Sequence, residues 1–368
     1  MEYRILPHGG EKIGVIGMGS SVIGAQPEAE IIAAVRAAID CGVNYFDMAG
    51  GHAAIFAAYG KALKGLRDKV YLQIHFGADY TSGEYGWTTD LAEIKKSVAW
   101  QLKNLQTDYI DVGFIHCLDE EHDLAAYQAN GVLDYILDLK KQGVIRHIGL
   151  SSHTPALVHK VLDMGIVDVV MFSINPAYDC GQGDFGIGEN SERYDMYRRC
   201  QREGVAITVM KPFCGGQLLD AAQSPFGVAL TREQCIQYAL DKPGVMAVLP
   251  GFGNQREMRE VLSFFDASAA DRDYSCLGNL APAGAVGRCA EASDIELHRA
   301  GKSYTSDTLR ALRQQYPDAE LWLLMGSDMF LSLHTWHEPE VICTLAHVGA
   351  FRRVEEDIRA AMERQKTL

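Results

Sequence analysis

The chain has 368 residues, 48% apolar and 22% charged, the proportions of a globular protein that can build a barrel-sized core without disulfides or metals. Its net charge of −14 argues against nucleic-acid binding and against anionic membrane surfaces, and no apolar run reaches the roughly 18 residues of a membrane-spanning helix. Nine scattered cysteines without a Cys-x-x-Cys, behind an N-terminus lacking a basic start and an apolar signal core, fit a reducing cytoplasm and give no zinc or disulfide pattern.

The first strand-like run, Ile13 to Ser20, ends in glycines whose spacing is not Gly-x-Gly-x-x-Gly, so a strand and a tight turn is preferred to a dinucleotide fingerprint. Ile31, Ile32, Val35 and Ile39 share one side of a helix over 28–40, which Gly42 ends. Tyr45–Ala49 and Val70–Phe76 are the next strands, with a helix over 53–63 between them. The stretch 77–89 is a long loop rich in glycine and aromatic residues, a kind that is usually functional. Asp90 is placed to cap a helix running to Leu105, and the strand 109–117 and a helix over 124–142 follow. Strands at 145–152, 167–175, 205–213 and 245–251 then alternate with helices at 155–164, 192–202, 232–241 and 254–265. Eight strand–helix units at this pitch predict parallel strands with crossover helices, closed into a (β/α)8 TIM barrel over residues 1–266.

Residues 267–289, rich in Ala, Gly and Pro, read as a linker. From 290 to 368 the pattern is that of a small α/β fragment. Asp294–Leu297 is followed by a helix over 305–315, a strand near 321–328, helical pieces over 338–346, a strand at 348–351 and a charged terminal helix. About 80 residues is little for an independent core.

Active sites of α/β barrels lie at the C-terminal ends of the strands. Asp47, His75 and His116 end three successive apolar runs, which points them at one pocket. His52 lies on the loop leaving the first of these, and His153 follows the fifth strand. Proton transfer suits such a set, since a neighbouring carboxylate tunes histidine near neutral pH. Three imidazoles and a carboxylate also suit zinc with an open position, and spacing leaves both chemistries open. The loops after the last two strands, Lys211 to Gly216 and Gly251 to Arg256, are expected to hold phosphate. Their glycines admit backbone N–H groups, the helix starting at Asn254 offers a positive dipole end, and Lys211 and Arg256 bring charge.

Over roughly residues 1–288 the chain resembles the aldo/keto reductase family. The likeness rests on Gly42–Ala49, Tyr59–Lys64, Leu105 through His116, Lys141–Ser152 and Val248–Gly251. It implies a barrel that binds NADPH, or NADH, in extended form. It also implies hydride transfer between the cofactor and a carbonyl or alcohol of a small-molecule substrate, with an Asp-Tyr-Lys-His set. Asp47 and His116 match that Asp and His, whereas His52 stands for the tyrosine and His75 for the lysine. For the cofactor the resemblance assigns Ser151 and Ser152 to the carboxamide, Asn175 to the usual glutamine position and Met210 to the nicotinamide-stacking position. Gly251, Asn254 and Arg256 join Lys211 at the phosphates. The segments at 267–275 and 285–289 resemble the approach to a ferredoxin-like segment found in some relatives. With no closely spaced cysteines after Cys289, no iron–sulfur cluster is expected.

The last 80 residues resemble a second family, nicotinate-nucleotide adenylyltransferase, through Ala292–Leu297, Ser303–Leu309, Leu324–Asp328 and Thr335–His337. That likeness places Tyr304, Thr305 and Trp336 at a nicotinate nucleotide and Asp328 at the nucleotide site. The family's ATP-binding motifs are absent from the sequence, so adenylyl transfer is not expected. A metal-dependent hydrolase or lyase using Asp47 with His52, His75 and His116, and a barrel that has lost its chemistry, stand as the alternatives to a reductase. Neither a metal nor a membrane partner is expected, and the oligomeric state is not legible.

Overall fold

The computed structural model describes residues 1–279, 295–296, 302–317 and 319–351. It divides into two compact units, Met1–Arg288 and Cys289–Leu368.

The first unit opens with an antiparallel hairpin, β1 (Tyr3–Ile5) and β2 (Lys12–Gly14). Eight parallel strands follow, each hydrogen-bonded to the next. They are β3 (Met18–Gly19), β4 (Tyr45–Asp47), β5 (Tyr71–Phe76), β8 (Ile110–Ile115), β9 (Ile145–Ser152), β10 (Val169–Ser173), β11 (Ala206–Met210) and β12 (Val245–Val248). A short antiparallel pair, β6 (Ala78–Asp79) and β7 (Gly86–Trp87), projects between β5 and β8 in sequence. The barrel closes where the first strand meets the last. Ile16 bridges Val248, Gly19 bridges Gly251, and Gly17 N donates to Val248 O at 2.9 Å. A Cβ on Gly17 would lie 2.3 Å from Leu249 Cδ2 and 2.7 Å from Tyr45 O, so the glycine run at 13–20 serves strand closure. The eight-unit alternation read from the sequence is the fold observed.

The barrel interior is packed by Tyr45, Val112, Phe114, Val169, Met171 and Leu249 among others, and a larger apolar layer joins the strands to the helices. The two layers explain why the strands read as continuous apolar runs: both faces are buried. The outer helices are α1 (Glu28–Asp40), α2 (Ala54–Ala62), α3 (Leu91–Leu105), α4 (Glu121–Ala129), α5 (Val132–Lys141), α6 (Pro155–Leu162), the single turn α7 (Pro176–Asp179), α8 (Asn190–Glu203), α9 (Arg232–Leu240) and α10 (Gln255–Leu262). The Asp90 carboxylate caps α3 by accepting from Ala92 N and Glu93 N.

Three segments differ from the sequence expectation. The helix expected over 124–142 is two helices, broken where Gly131 takes φ +72°, a conformation other residues rarely adopt. The loop at 77–89 contains the β6–β7 hairpin, and its Tyr80 is buried against Phe56. The described part of the expected linker, 267–279, packs on the barrel. Arg272 donates to Phe264 O, Tyr274 OH donates to Asp241 Oδ2 at 2.9 Å, and Leu277 is fully buried.

The second unit holds α11 (Thr305–Gln315), β13 (Trp322–Gly326), α12 (Ser327–Ser332), α13 (Pro339–Leu345) and β14 (His347–Phe351). β13 and β14 form a parallel pair over a small core of Leu309, Met325, Leu333, Ile342 and Ala346. Trp336 packs against that core and the Tyr304 ring lies against His337, 4.1 Å between centroids. The side chain of Asp328, the Ala285–Cys289 segment, Asp294 and Leu297 and the expected terminal helix beyond 351 lie outside the described residues.

Candidate active site

The C-terminal ends of β4, β5 and β8 bring Asp47, His75 and His116 together as the sequence led one to expect. They sit at 4%, 2% and 8% exposure and form one hydrogen-bonded series. Asp47 Oδ1 accepts from Ala49 N at 3.0 Å and Gln73 Nε2 at 2.8 Å, and lies 2.9 Å from His75 Nε2. His75 Nδ1 lies 3.0 Å from His116 Nδ1, and His116 Nε2 lies 2.9 Å from the hydroxyl of Tyr85. The His75 ring stacks on Phe114, 5.1 Å between centroids. Burial, reinforced by His75, His153 and Lys211, holds the His116 imidazole well below its usual pKa, against the opposing pull of Asp119.

Asp47, His75, His116 and Tyr85 all line a cavity of about 660 Å³ at the mouth of the barrel, a size that suits a cofactor or small-molecule ligand. Of the expected cofactor residues, Ser151, Met210, Lys211 and Gly251 line it. Ser151 Oγ accepts from Cys117 N at 2.8 Å, which leaves its hydroxyl proton for the cavity. Gly215 and Gly216, at φ +66° and +95°, form part of the wall after β11. A Cβ at either position would meet nothing within 4 Å, so the backbone there is bare toward the cavity.

Four other expected cofactor residues are placed elsewhere. Ser152 is fully buried and donates to Leu118 O at 2.7 Å. Asn175 caps α7 through Tyr178 N and donates to Lys211 O at 2.8 Å. Asn254 caps α10, accepting from Arg256 N and Glu257 N at 3.0 Å. The Arg256 side chain is 87% exposed and pairs with Glu260. All four spend their polar groups on the protein's own structure. Arg232 and Glu257, which the sequence did not single out, line the cavity instead.

His52 requires the largest correction. Its side chain is exposed and is not part of the cavity wall. Its backbone bridges Glu84, so the loop of His52 docks the β6–β7 hairpin, and that hairpin delivers Tyr85. The three-histidine metal pocket is therefore not assembled: His52 is outside, and Asp47 is separated from His116 by the whole His75 ring. Beside the series, Asp119 accepts from His153 N and pairs with His153 Nδ1 at 2.8 Å. Burial would raise the Asp119 carboxyl, but those bonds hold it down at about 2. Burial and Asp119 push the Cys117 thiol up to about 12. Lys211 Nζ donates to His153 Nε2 at 2.8 Å, so the protein itself supplies the positive charge of this cluster.

The chain matches the sequence profile of the aldo/keto reductase family over residues 14–234. It is 26% identical to L-galactose dehydrogenase of Arabidopsis thaliana, across 71% of this chain and 86% of that protein. An aldo-keto reductase of Bacillus halodurans in its holo form superposes with a TM-score of 0.63 at 22% identity, covering 77% of this chain and 97% of that one. The chain is also 43% identical over 96 residues to a protein of Desulfatibacillum aliphaticivorans described as "Probable nicotinate-nucleotide adenylyltransferase". The match takes in 26% of this chain, which spans 43% of that relative's length.

Proposed function

The chain belongs to the aldo/keto reductase family, and from that premise we propose that it is a nicotinamide-dependent oxidoreductase acting on a small carbonyl or alcohol. The activity is placed in the barrel of residues 1–266. The observation that carries this reading is the buried series Asp47–His75–His116 opening into the cavity at the strand ends. A hydrogen-bonded proton route along the cavity wall, with a carboxylate at one end, is what a carbonyl-reducing site needs in addition to its hydride source.

The residues fit the cofactor. Ser151 has a hydroxyl proton to offer a carboxamide, Met210 presents an apolar side chain, and the bare backbone at Gly215 and Gly216 admits a phosphate-bearing chain. The nicotinamide cofactor, when bound, would supply the hydride as NADPH or NADH and accept it as the oxidised form. His75 takes the place of the family's lysine beside Asp47, and Gln73 steadies that carboxylate from the same strand. No adenylyl transfer is assigned to the C-terminal unit.

The test is turnover of the purified protein with 4-nitrobenzaldehyde and NADPH or NADH, and with 4-nitrobenzyl alcohol and the oxidised cofactors. Cofactor oxidation or reduction that requires the second substrate supports the reading. A protein inert with every pair contradicts it.

A further inference from the structure

Tyr85 lies on the long aromatic loop that follows β5, the strand of His75. It reaches the cavity because the β6–β7 hairpin is fixed at three points. Ala78 pairs with Trp87, the backbone of Glu84 bridges His52, and Tyr80, buried and packed on Phe56, holds its ring 5.9 Å from that of Tyr85. Its hydroxyl is both on the cavity wall and 2.9 Å from His116 Nε2.

The hydrogen bonds of the series have a direction. With Asp47 ionised, His75 Nε2 must donate to it, so a neutral His75 has a lone pair at Nδ1. His116 Nδ1 then donates to His75, which leaves His116 Nε2 to accept from Tyr85 O–H. One proton occupies each of the three gaps. If one proton is added, His75 becomes an imidazolium against Asp47 and the inner bonds reverse. His75 Nδ1 then donates to His116, His116 Nε2 donates to the Tyr85 oxygen, and the phenol proton is released toward the cavity.

From this geometry we infer that Tyr85 is the catalytic acid and base, exchanging its proton with the substrate oxygen and recharged by His116 and His75 with Asp47 as counter-ion. The inference rests on the oxidoreductase reading. In the reducing direction the carbonyl carbon gains a hydride, its π pair moves to oxygen, and that oxygen takes the phenol proton. The phenolate takes the proton of His116 Nε2, and His116 Nδ1 takes that of His75 Nδ1. His75 is left neutral, and a proton from water restores the imidazolium. Oxidation of an alcohol runs the same transfers backward. The two protonation states of the histidine pair thus select the direction. Reduction takes up the added proton and oxidation gives it back. The titratable groups that face the pair are Asp47, Tyr85, Asp119, His153 and Lys211. Tyr85 is 45% exposed, open to a substrate, yet desolvation raises its phenol pKa, which suits a group that returns its proton at the end of a cycle.

The test uses the full chain and two readouts. In protein labelled with 15N-histidine, free of cofactor and mildly alkaline, His116 is expected as the Nδ1–H tautomer and His75 as the Nε2–H tautomer. A His116 protonated at Nε2 under those conditions overturns the relay without reference to turnover. Tyr85→Phe is expected to lower kcat with 4-nitrobenzaldehyde by about 10² to 10⁴-fold, with the Kd for reduced cofactor within about twofold of the parent and the pH dependence flattened. His52→Ala is expected to keep most of the rate. An active parent with an equally active Tyr85→Phe variant overturns the inference and leaves the oxidoreductase reading standing. A parent that neither binds cofactor nor turns over overturns both.

Discussion

Arg193 is fully buried and marks the most heavily committed polar cluster of the barrel. Its Nε donates to Asp179 Oδ1 at 2.8 Å, and its other nitrogens donate to Ser173 O at 2.6 Å and Ile187 O at 3.1 Å. Asp179, 3% exposed, also accepts from Tyr197 OH and Tyr238 OH at 2.8 Å. Arg193→Met keeps most of the apolar stem but strands the carboxylate with two neutral donors and leaves both carbonyls without this partner. Removing one member of a buried pair costs about 3–5 kcal/mol, because the remaining charge is uncompensated. Spread over the entropy of unfolding of a unit this size, that corresponds to a fall of roughly 5–8 °C in Tm. Adding Asp179→Asn removes the stranded charge and keeps an acceptor for one of the two tyrosines, which donate to different oxygens, so the double variant should recover about 2 kcal/mol. Differential scanning calorimetry and urea melts of the three variants measure this. A fall below about 2 °C for Arg193→Met, or a double variant no more stable than the single one, would refute the argument that the charge is what matters.

Two further outcomes follow from Asp119, which pairs with the cavity-lining His153, and from Glu257 on the cavity wall. Asp119 is held at about 2, below the ordinary carboxylate value, so its contribution to stability is present above the unfolded pKa and is lost as pH falls through the folded one. Asp119→Asn should cost roughly 2 kcal/mol at neutral pH and nothing at the acid end of that window; an equal cost at both ends in urea melts would sink the assignment. Glu257 accepts from Gly253 N at 2.8 Å and Asn254 Nδ2 at 3.0 Å on the cavity wall, where a carboxylate favours a ribose diol and opposes a phosphate. Glu257→Gln should shift the ratio of affinities toward NADPH over NADH by roughly 3- to 10-fold; an unchanged ratio of the two Kd values counts against that placement.

Much of the barrel was legible because strands buried on both faces give uninterrupted apolar runs, and some of the helices between them, such as α3 behind Asp90, carry a side-chain cap. Asp47, His75 and His116 were legible for the same reason, each being the polar residue at the end of such a run. His52 was misplaced because its spacing from Asp47 says nothing of where the loop turns, and the loop turns its backbone toward Glu84. Tyr85 was visible as a loop aromatic but not as a partner of His116. It lies 31 residues away on a hairpin whose two-residue strands are too short to show alternation. Ser152, Asn175 and Asn254 show a general ambiguity: a polar residue just past a strand either enters the cavity or satisfies nearby backbone, and only the traced chain decides. Gly131 breaks a helix that the sequence reading joined, and the buried Tyr127 of α4 and Ile136 of α5 fall on opposite faces of a continuous helix.

The most direct measurement is a fluorescence titration of the full chain with NADPH and with NADH, with and without a chelator. The account predicts saturable binding at micromolar cofactor for at least one of them, unaffected by the chelator and weakened by a bulky substitution at Gly216. No saturation up to near-millimolar cofactor, for either nucleotide, would contradict it.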